Sequence, residues 1–153
     1  MTIGVISDTH GLLRPQAVRE LAGVDHILHA GDVGSAEILT ELRRIAPVTA
    51  IRGNVDRAGV CASLPATDAI ELAGKLFYLV HSVHDLDLDP TAAGIAVLVS
   101  GHSHRASIET REDVLYLNPG SAGPRRFSLP LTLALVVIEE GKIEIEIREL
   151  ALA

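Results

Sequence analysis

The sequence predicts one mixed α/β domain, residues 1–153, in which two sheets face each other. Three observations carry this. The first fifty residues alternate short apolar runs with amphipathic stretches in the order β-α-β-α-β, the pattern of a parallel sheet with right-handed crossovers. The second half instead pairs β-rich runs around tight turns, the antiparallel signal. Apolar residues at 48% and charged residues at 22% are close to globular averages and exclude a disordered or collagen-like chain.

The elements follow in order. Ile3–Ser7 is a β-rich strand. In Pro15–Leu21 the residues Ala17, Val18 and Leu21 recur at helical spacing, and Pro15 suits a helix's first turn. His26–His29 is the second strand. Ala36–Ile45 is a helix with Ile38, Leu39, Leu42 and Ile45 on one face and Glu37, Glu41, Arg43 and Arg44 toward water. Pro47–Ile51 is the third strand. Ala69–Leu72 and Lys75–Val80 flank Gly74 as a hairpin or sheet corner, and Pro90–Ala93 starts a short helix before the buried strand Ile95–Val99. Ser107–Thr110 and Val114–Leu117 bracket a turn at Arg111–Asp113; Leu131–Ile138 and Lys142–Arg148 bracket Glu140-Gly141. In the last strand Ile143, Ile145 and Ile147 alternate with Glu144, Glu146 and Arg148, so it is either a covered edge or a dimer edge. No repeat, low-complexity tract or linker interrupts the chain.

Composition narrows the function classes. With 13 basic and 20 acidic residues the net charge is −7, a surface that does not attract polyanions, so stable nucleic-acid binding is not expected. No tryptophan, two tyrosines and two phenylalanines leave little for base stacking. An anionic substrate would therefore need metal ions to attract it. The single cysteine, Cys61, allows no internal disulfide or thiolate zinc site and reads as inert. The longest apolar stretches, Ile95–Val99 and Leu129–Ile138, fall short of the ~18–20 residues that span a bilayer. No basic n-region precedes an apolar leader either, so a soluble cytoplasmic protein without a membrane partner is expected.

The chemistry stands at the strand ends. The first strand runs into Ser7-Asp8-Thr9-His10-Gly11, the second into His29-Ala30-Gly31-Asp32, the third into Arg52-Gly53-Asn54. Lys75–Val80 ends in His81, and Ile95–Val99 in Ser100-Gly101-His102-Ser103-His104. In open α/β sheets the carboxyl ends of strands line the binding crevice. The pairs Asp8/His10 and His102/His104 are spaced i, i+2, which in extended backbone points both side chains to one side. Two Asp, one Asn and four His exceed one tetrahedral site and suit two metals sharing a carboxylate. Imidazole and oxygen ligands without thiolate fit Mn, Fe, Co, Ni or Zn, with manganese the expected occupant. Two such ions, ~3.5–4 Å apart, clamp a phosphoryl group and activate a bridging water.

Asp8/His10, Gly31-Asp32, Gly53-Asn54, His81 and Gly101-His102-Ser103-His104 resemble, in order, the calcineurin-like metallophosphoesterase signature. The short length, the Gly-Asn-x-Asp form at Gly53–Asp56 and the Asn118-Pro119-Gly120-Ser121 segment are similar to its small bacterial and archaeal phosphodiesterase branch, the YfcE type. The resemblance runs from Ile3 to about Pro130. It implies a four-layer α/β/β/α sandwich of two mixed sheets, and a small homodimer. It implies one metal on Asp8, His10, Asp32 and His104 and a second on Asp32, Asn54, His81 and His102, Asp32 bridging. The implied reaction is in-line attack on a phosphodiester by a hydroxide bridging the two ions.

One departure bears on the substrate. Many phosphatases of the superfamily carry His directly after the Asn as the acid for the leaving group; here that place is Val55. Its absence removes roughly 10²–10⁴-fold of general-acid help, which favours diesters or good leaving groups over monoesters of aliphatic alcohols. His84 either substitutes from near the metals or is a plain loop histidine. Arg52 either reaches a phosphate oxygen or makes a structural salt bridge, and Arg125 with Arg126 forms either an anion clamp or a surface pair. Asn118 is expected to cap a turn. His29 either supports the site from behind or belongs to the core, while Asp56 either orients Asn54 or caps a turn. Asp85, Asp87 and Asp89, alternating with Leu86 and Leu88, lack an EF-hand's Gly and Glu and read as a solvated edge. Two further functions remain open: a phosphomonoesterase on the same site, and a protein-binding scaffold like the retromer subunit that resembles this family.

Overall fold

The computed structural model describes residues 1–126 and 128–151. In chain order they form β1 (Thr2–Ile6), α1 (Pro15–Glu20), β2 (His26–His29), α2 (Ala36–Arg43), β3 (Val48–Ala50), α3 (Gly59–Ala62), β4 (Thr67–Leu72) and β5 (Lys75–Val80). A 3-10 turn at Val83–Asp85 leads to β6 (Val97–Val99), β7 (Ser107–Arg111), β8 (Val114–Asn118), β9 (Thr132–Glu139) and β10 (Lys142–Glu149). Each strand that the apolar runs predict is present.

The strands build two five-stranded mixed sheets, ordered β10-β9-β1-β2-β3 and β4-β5-β6-β8-β7. In the first, β1, β2 and β3 run parallel, and the β9–β10 hairpin joins antiparallel to β1 with Ile3 opposite Val136. In the second, β5, β6 and β8 are parallel, with β4 and β7 antiparallel at the edges. All parallel strands direct their carboxyl ends to one rim, which gathers the loops after β1, β2, β3, β5 and β6.

Side-chain alternation explains the layers. Ile3 and Val5 of β1 turn inward with Leu28, Phe77, Leu79, Val97, Val99 and Val136 to form the core between the sheets. Ile6 faces the opposite way, joining Ala17, Leu21, Ile38, Leu39 and Leu42 under the helices. Gly4 shares that outer face because a Cβ there would collide with the Leu21 side chain. The outer face of the second sheet carries Leu76, Tyr78, Val80, Leu98 and Tyr116, covered by Val83, Leu86 and Leu88. Asp85, Asp87 and Asp89 lie exposed between those leucines, the solvated edge that the alternation predicts.

One local reading changes, and one short helix is new. The α-helix expected at Pro90–Ala93 is a turn, because Gly94 at φ +75° reverses the chain after one set of bonds, Ala93 N donating to the Asp89 carbonyl at 3.0 Å. The layer outside the second sheet therefore holds a 3-10 turn and loops rather than a full helix. The four-residue α3, whose only buried side chain is Cys61, had no periodicity to announce it. Among the described residues no helix is long and apolar enough to cross a membrane.

Candidate metal centre

The loops after β1 and β2 continue the parallel pairing past the strands themselves. Asp8 N donates to the Gly31 carbonyl at 3.0 Å, His10 N to Asp32 at 2.9 Å and Gly11 N to Val33 at 2.8 Å. This zips Asp8 and His10 to Asp32. From the second sheet, Gly101 N donates to the His81 carbonyl at 2.9 Å and brings the His102–His104 loop alongside.

The backbone that aims these ligands is not extended, so the i, i+2 argument for Asp8/His10 and His102/His104 is replaced. Asp8, His10, Asp32, His102 and His104 all adopt positive φ, +56°, +46°, +56°, +70° and +61°. Left-handed turns swing the side chains inward, at a cost of roughly 1–3 kcal/mol per non-glycine residue. The other non-glycine residues with positive φ, Ala73, Glu112, Asp113 and Glu140, sit in hairpin turns.

At the centre each carboxylate divides its oxygens. Asp8 Oδ2 accepts the Ser7 hydroxyl at 2.9 Å and His102 N at 3.2 Å, leaving Oδ1 facing His104 Nε2 at 3.6 Å and the Nε2 atoms of His10 and His81 at 3.9 Å. Asp32 Oδ1 accepts Val55 N at 3.0 Å, and Oδ2 lies 3.2 Å from His81 Nε2 and 3.6 Å from His10 Nε2. His81 Nδ1 donates to the Ala30 carbonyl at 2.7 Å, so Nε2 is the nitrogen presented to the cluster. The ligand atoms of Asp8, His10 and His104 lie within 4.8 Å of one another, as do those of Asp8, Asp32 and His81.

Metal ions fit this arrangement. Asp8 Oδ1, His10 Nε2 and His81 Nε2 are buried and have no hydrogen-bond partner, an expense that folded proteins avoid unless another group satisfies them. Burial pushes the Asp8 carboxyl up to about 6, against the opposing His81 charge and Ser7 bond. For Asp32 burial also acts upward, but His81 beside it and the Val55 hydrogen bond outweigh it and hold the group below the usual carboxylate range. Burial, with the Arg126 and His10 charges, lowers His104 to about 4, and burial lowers His10 as well. His81 goes the other way: burial opposes its protonation, but the Asp32 carboxylate 3.2 Å away and the bond to Ala30 raise it.

The surrounding side chains lock the loops together. His29, fully buried and lowered by burial to about 4, accepts Gly31 N on Nδ1 at 3.1 Å and donates from Nε2 to the Thr9 hydroxyl at 3.0 Å. It supports the site from behind. Asp56 accepts Val33 N at 3.1 Å, Gly34 N at 3.0 Å and Gly53 N at 2.8 Å, capping the third loop while clasping the second. The Asn118 amide donates to the Gly101 carbonyl at 3.0 Å and the Ser103 hydroxyl at 3.1 Å, and its oxygen accepts Gly120 N at 2.9 Å. It caps its own turn and steadies the histidine loop beside it.

Asn54 and His102 stand at the exposed mouth, the Asn54 amide donating to His102 Nδ1 at 3.3 Å. His84 is exposed on the 3-10 turn and lines a cavity with His102, outside the inner cluster. Arg52 makes no salt bridge among the described residues; its guanidinium donates to the Leu64 carbonyl at 2.8 Å on the rim beside Asn54. Arg126, rather than Arg125, is the cation whose charge reaches His10 and His104. The supporting roles of Ser7 and Thr9 escape sequence reading because each depends on hydrogen bonds between loops, and so does the hold of Asp56 on Val33 and Gly34, although its turn cap on Gly53 was legible.

Comparison with known proteins agrees with this geometry. The calcineurin-like phosphoesterase superfamily domain matches residues 1–141. A probable metallophosphoesterase from Methanothermobacter thermautotrophicus is 38% identical, covering 96% of this chain and 91% of the relative. A phosphodiesterase from Methanocaldococcus jannaschii is 27% identical over 78% of this chain and 83% of its own length. Among solved structures, Vps29 from Chaetomium thermophilum superposes with a TM-score of 0.79 at 17% identity, covering 97% of this chain and 95% of that one, a likeness of fold. With the family domain spanning most of its length and candidate metal ligands at its strand ends, this chain belongs to the calcineurin-like phosphoesterase superfamily.

Proposed function

We propose that this protein is a phosphodiesterase working with two divalent metal ions, manganese foremost and nickel, iron, cobalt or zinc compatible. The observation that carries the reading is the trio of buried, unpartnered atoms, Asp8 Oδ1, His10 Nε2 and His81 Nε2, converging from the ends of β1 in one sheet and β5 in the other. In this reading Asp8, His10, Asp32 and His104 would hold one ion and Asp32, Asn54, His81 and His102 the other, Asp32 being the residue common to both. When bound, such ions neutralise phosphoryl charge and activate water.

The chain's own residues then position and select. Val55 N fixes Asp32 Oδ1, so that Oδ2 serves both His10 and His81. Arg126 adds positive charge on the His10–His104 side, useful to an anion approaching a chain of net charge −7. Val55, 48% exposed at the mouth, has no proton to give a leaving alcohol. His84, across the mouth, is the proton donor assigned in its place. The weak acid provision favours diesters and good leaving groups.

The test is hydrolysis of bis(p-nitrophenyl) phosphate and p-nitrophenyl phosphate by chelator-stripped protein, with and without Mn²⁺. The expected result is Mn²⁺-dependent cleavage favouring the diester. Cleavage favouring the monoester would make it a phosphomonoesterase. The likeness of fold to Vps29 supports a second reading, a protein-binding scaffold. Metal bound without cleavage of either ester would favour that one.

A further inference from the structure

Beside the metal cluster, on the outer face of β7 and β8, lies a cavity of about 170 Å³ that opens past His102. It is smaller than the roughly 300–1,000 Å³ of sites that enclose a whole small ligand, so it has room for one arm of a substrate. Ser82, Ser100, Ser103 and Ser107 line it, with Tyr116 and Asn118 on its wall. The Ser103 hydroxyl is committed to the Asn118 amide. The hydroxyls of Ser82, Ser100 and Ser107 make no side-chain hydrogen bond among the described residues, and each can both donate and accept.

The charges on that wall cancel. Arg111 pairs with Glu109 at 2.9 Å and covers the Tyr116 ring, 4.7 Å from its centroid. Tyr116 also packs into the apolar cluster of the sheet's outer face, so its ring is already engaged and does not offer a stacking face to a nucleobase. On the other flank of the site, the cavity beside Asn54 and His81 is lined by Arg52, Asp85 and Asp87 and is charged by comparison. A hydroxyl-bearing recess beside His102, in which Arg111 and Glu109 pair with each other and which Val83, His84 and Leu117 also line, matches a small uncharged group that carries alcohols.

We propose that this cavity is a specificity subsite for a small polyol arm of the phosphodiester, a unit of glycerol size, with Ser82, Ser100 and Ser107 exchanging hydrogen bonds with its hydroxyls. The proposal rests on the phosphodiesterase reading. Water adds across one P–O bond, releasing one alcohol and leaving a phosphomonoester of the other, and the polyol arm is held during that exchange.

The probes are glyceryl p-nitrophenyl phosphate and n-propyl p-nitrophenyl phosphate, which differ only in hydroxyls. Two well-made hydrogen bonds predict a kcat/KM preference for the glyceryl ester of roughly 10- to 100-fold. Phosphorus NMR identifies which P–O bond breaks. Ser107→Val is expected to collapse the preference to near unity. Equal turnover of both esters would overturn the subsite while leaving the phosphodiesterase standing. If neither ester is cleaved, the phosphodiesterase reading fails and binding decides the cavity's role. In Zn²⁺-loaded protein sn-glycerol 3-phosphate is then expected to bind at least 5-fold tighter than propyl phosphate and to shift the Tyr116 ring resonances, with Tyr78 as internal reference. Equal affinities, or an unmoved Tyr116, would overturn the subsite.

Discussion

Asp56→Asn tests whether the centre depends on the clasp behind it. Asp56 Oδ2 accepts Val33 N and Gly53 N, and Oδ1 accepts Gly34 N. With the carboxylate 4% exposed, water cannot replace these bonds. In the asparagine variant the amide oxygen can keep the Val33 and Gly53 bonds, but its NH₂ then meets the Gly34 N–H, donor against donor. One charge-assisted bond is lost, worth ~1.5–3 kcal/mol, and the two that remain lose their charge assistance. A total of about 2–4 kcal/mol corresponds to a fall in Tm of about 5–15 °C for a chain of this size. Because the clasp sets the Asp32 and Asn54 loops, Mn²⁺ affinity should also fall by about 10–100-fold. Thermal unfolding by circular dichroism and metal content after dialysis read both effects, with the exposed turn residue Asp113 as a control, Asp113→Asn. A Tm and metal content within error of the control would refute the clasp.

Asp32→Asn should lower metal content at both positions while Asn54→Ala mainly disturbs one; elemental analysis showing wild-type content in Asp32→Asn would sink the bridging role. Val55→His should raise monoester turnover relative to diester at little cost in stability, since the side chain is 48% exposed. An unchanged ratio would show that the missing acid does not limit monoester cleavage. Metal uptake should release protons near pH 6, because Asp8 is raised to about 6 and must ionise to bind, and His81, also raised, must give up its proton. Calorimetry in buffers of different ionisation enthalpy measures that release, and zero protons released at pH 6 would contradict it. The sign for stability follows the same shift. In the metal-free protein the contribution of protonated Asp8 is fully present below its unfolded value of 3.8 and is lost as pH rises through about 6. The metal-free Tm should nevertheless rise from about pH 4 toward 6.5, because His29 and His104, both lowered to about 4, contribute in the opposite sense and together outweigh Asp8, and a fall there on pH-resolved unfolding would count against that balance.

Much of the fold was legible because its strands are short apolar runs closed by turn residues, a local signal. Ile143, Ile145 and Ile147 mark β10 through alternation alone, and they do pack against the core between the sheets. The order of strands within each sheet was not local: β8 lies between β6 and β7, and β9 lies against β1, pairings set by long-range packing. The candidate ligands were visible as polar residues at successive strand ends, but the reason they converge was not. Sequence spacing suggested extended backbone at Asp8/His10, where the chain turns left-handed, held by pairing with Gly31–Val33 and by the bonds from Ser121 and Ala122 to the Asp8 and Ser7 carbonyls. Arg125 and Arg126 are adjacent and chemically alike, so nothing in the sequence could tell which of them faces the histidines.

The costs of the metal-free fold sit in one place. Five candidate ligands adopt left-handed backbone, and of the five buried polar atoms without hydrogen-bond partners among the described residues, four, Asp8 Oδ1, His10 Nε2, His81 Nε2 and His104 Nδ1, belong to the same cluster, while the fifth, Arg148 Nε, has the Glu146 carboxylate at 2.9 Å. Elsewhere local and global preferences agree: apolar alternation matches the layers, and non-glycine residues with positive φ lie in hairpin turns. Violations scattered over a structure would suggest poor packing, whereas violations confined to one rim mark a site whose construction opposes stability. Glycine is required at several of its contacts: a Cβ on Gly53 would collide with Asp32, one on Gly101 with the Ser7 hydroxyl beside Asp8, and one on Gly31 with the His81 ring. The backbone therefore crowds the two carboxylates from both sides while each keeps one oxygen directed at the histidines. Satisfying those oxygens with protein donors would have been the stabler solution, and a cation is the kind of group that makes leaving them free worthwhile.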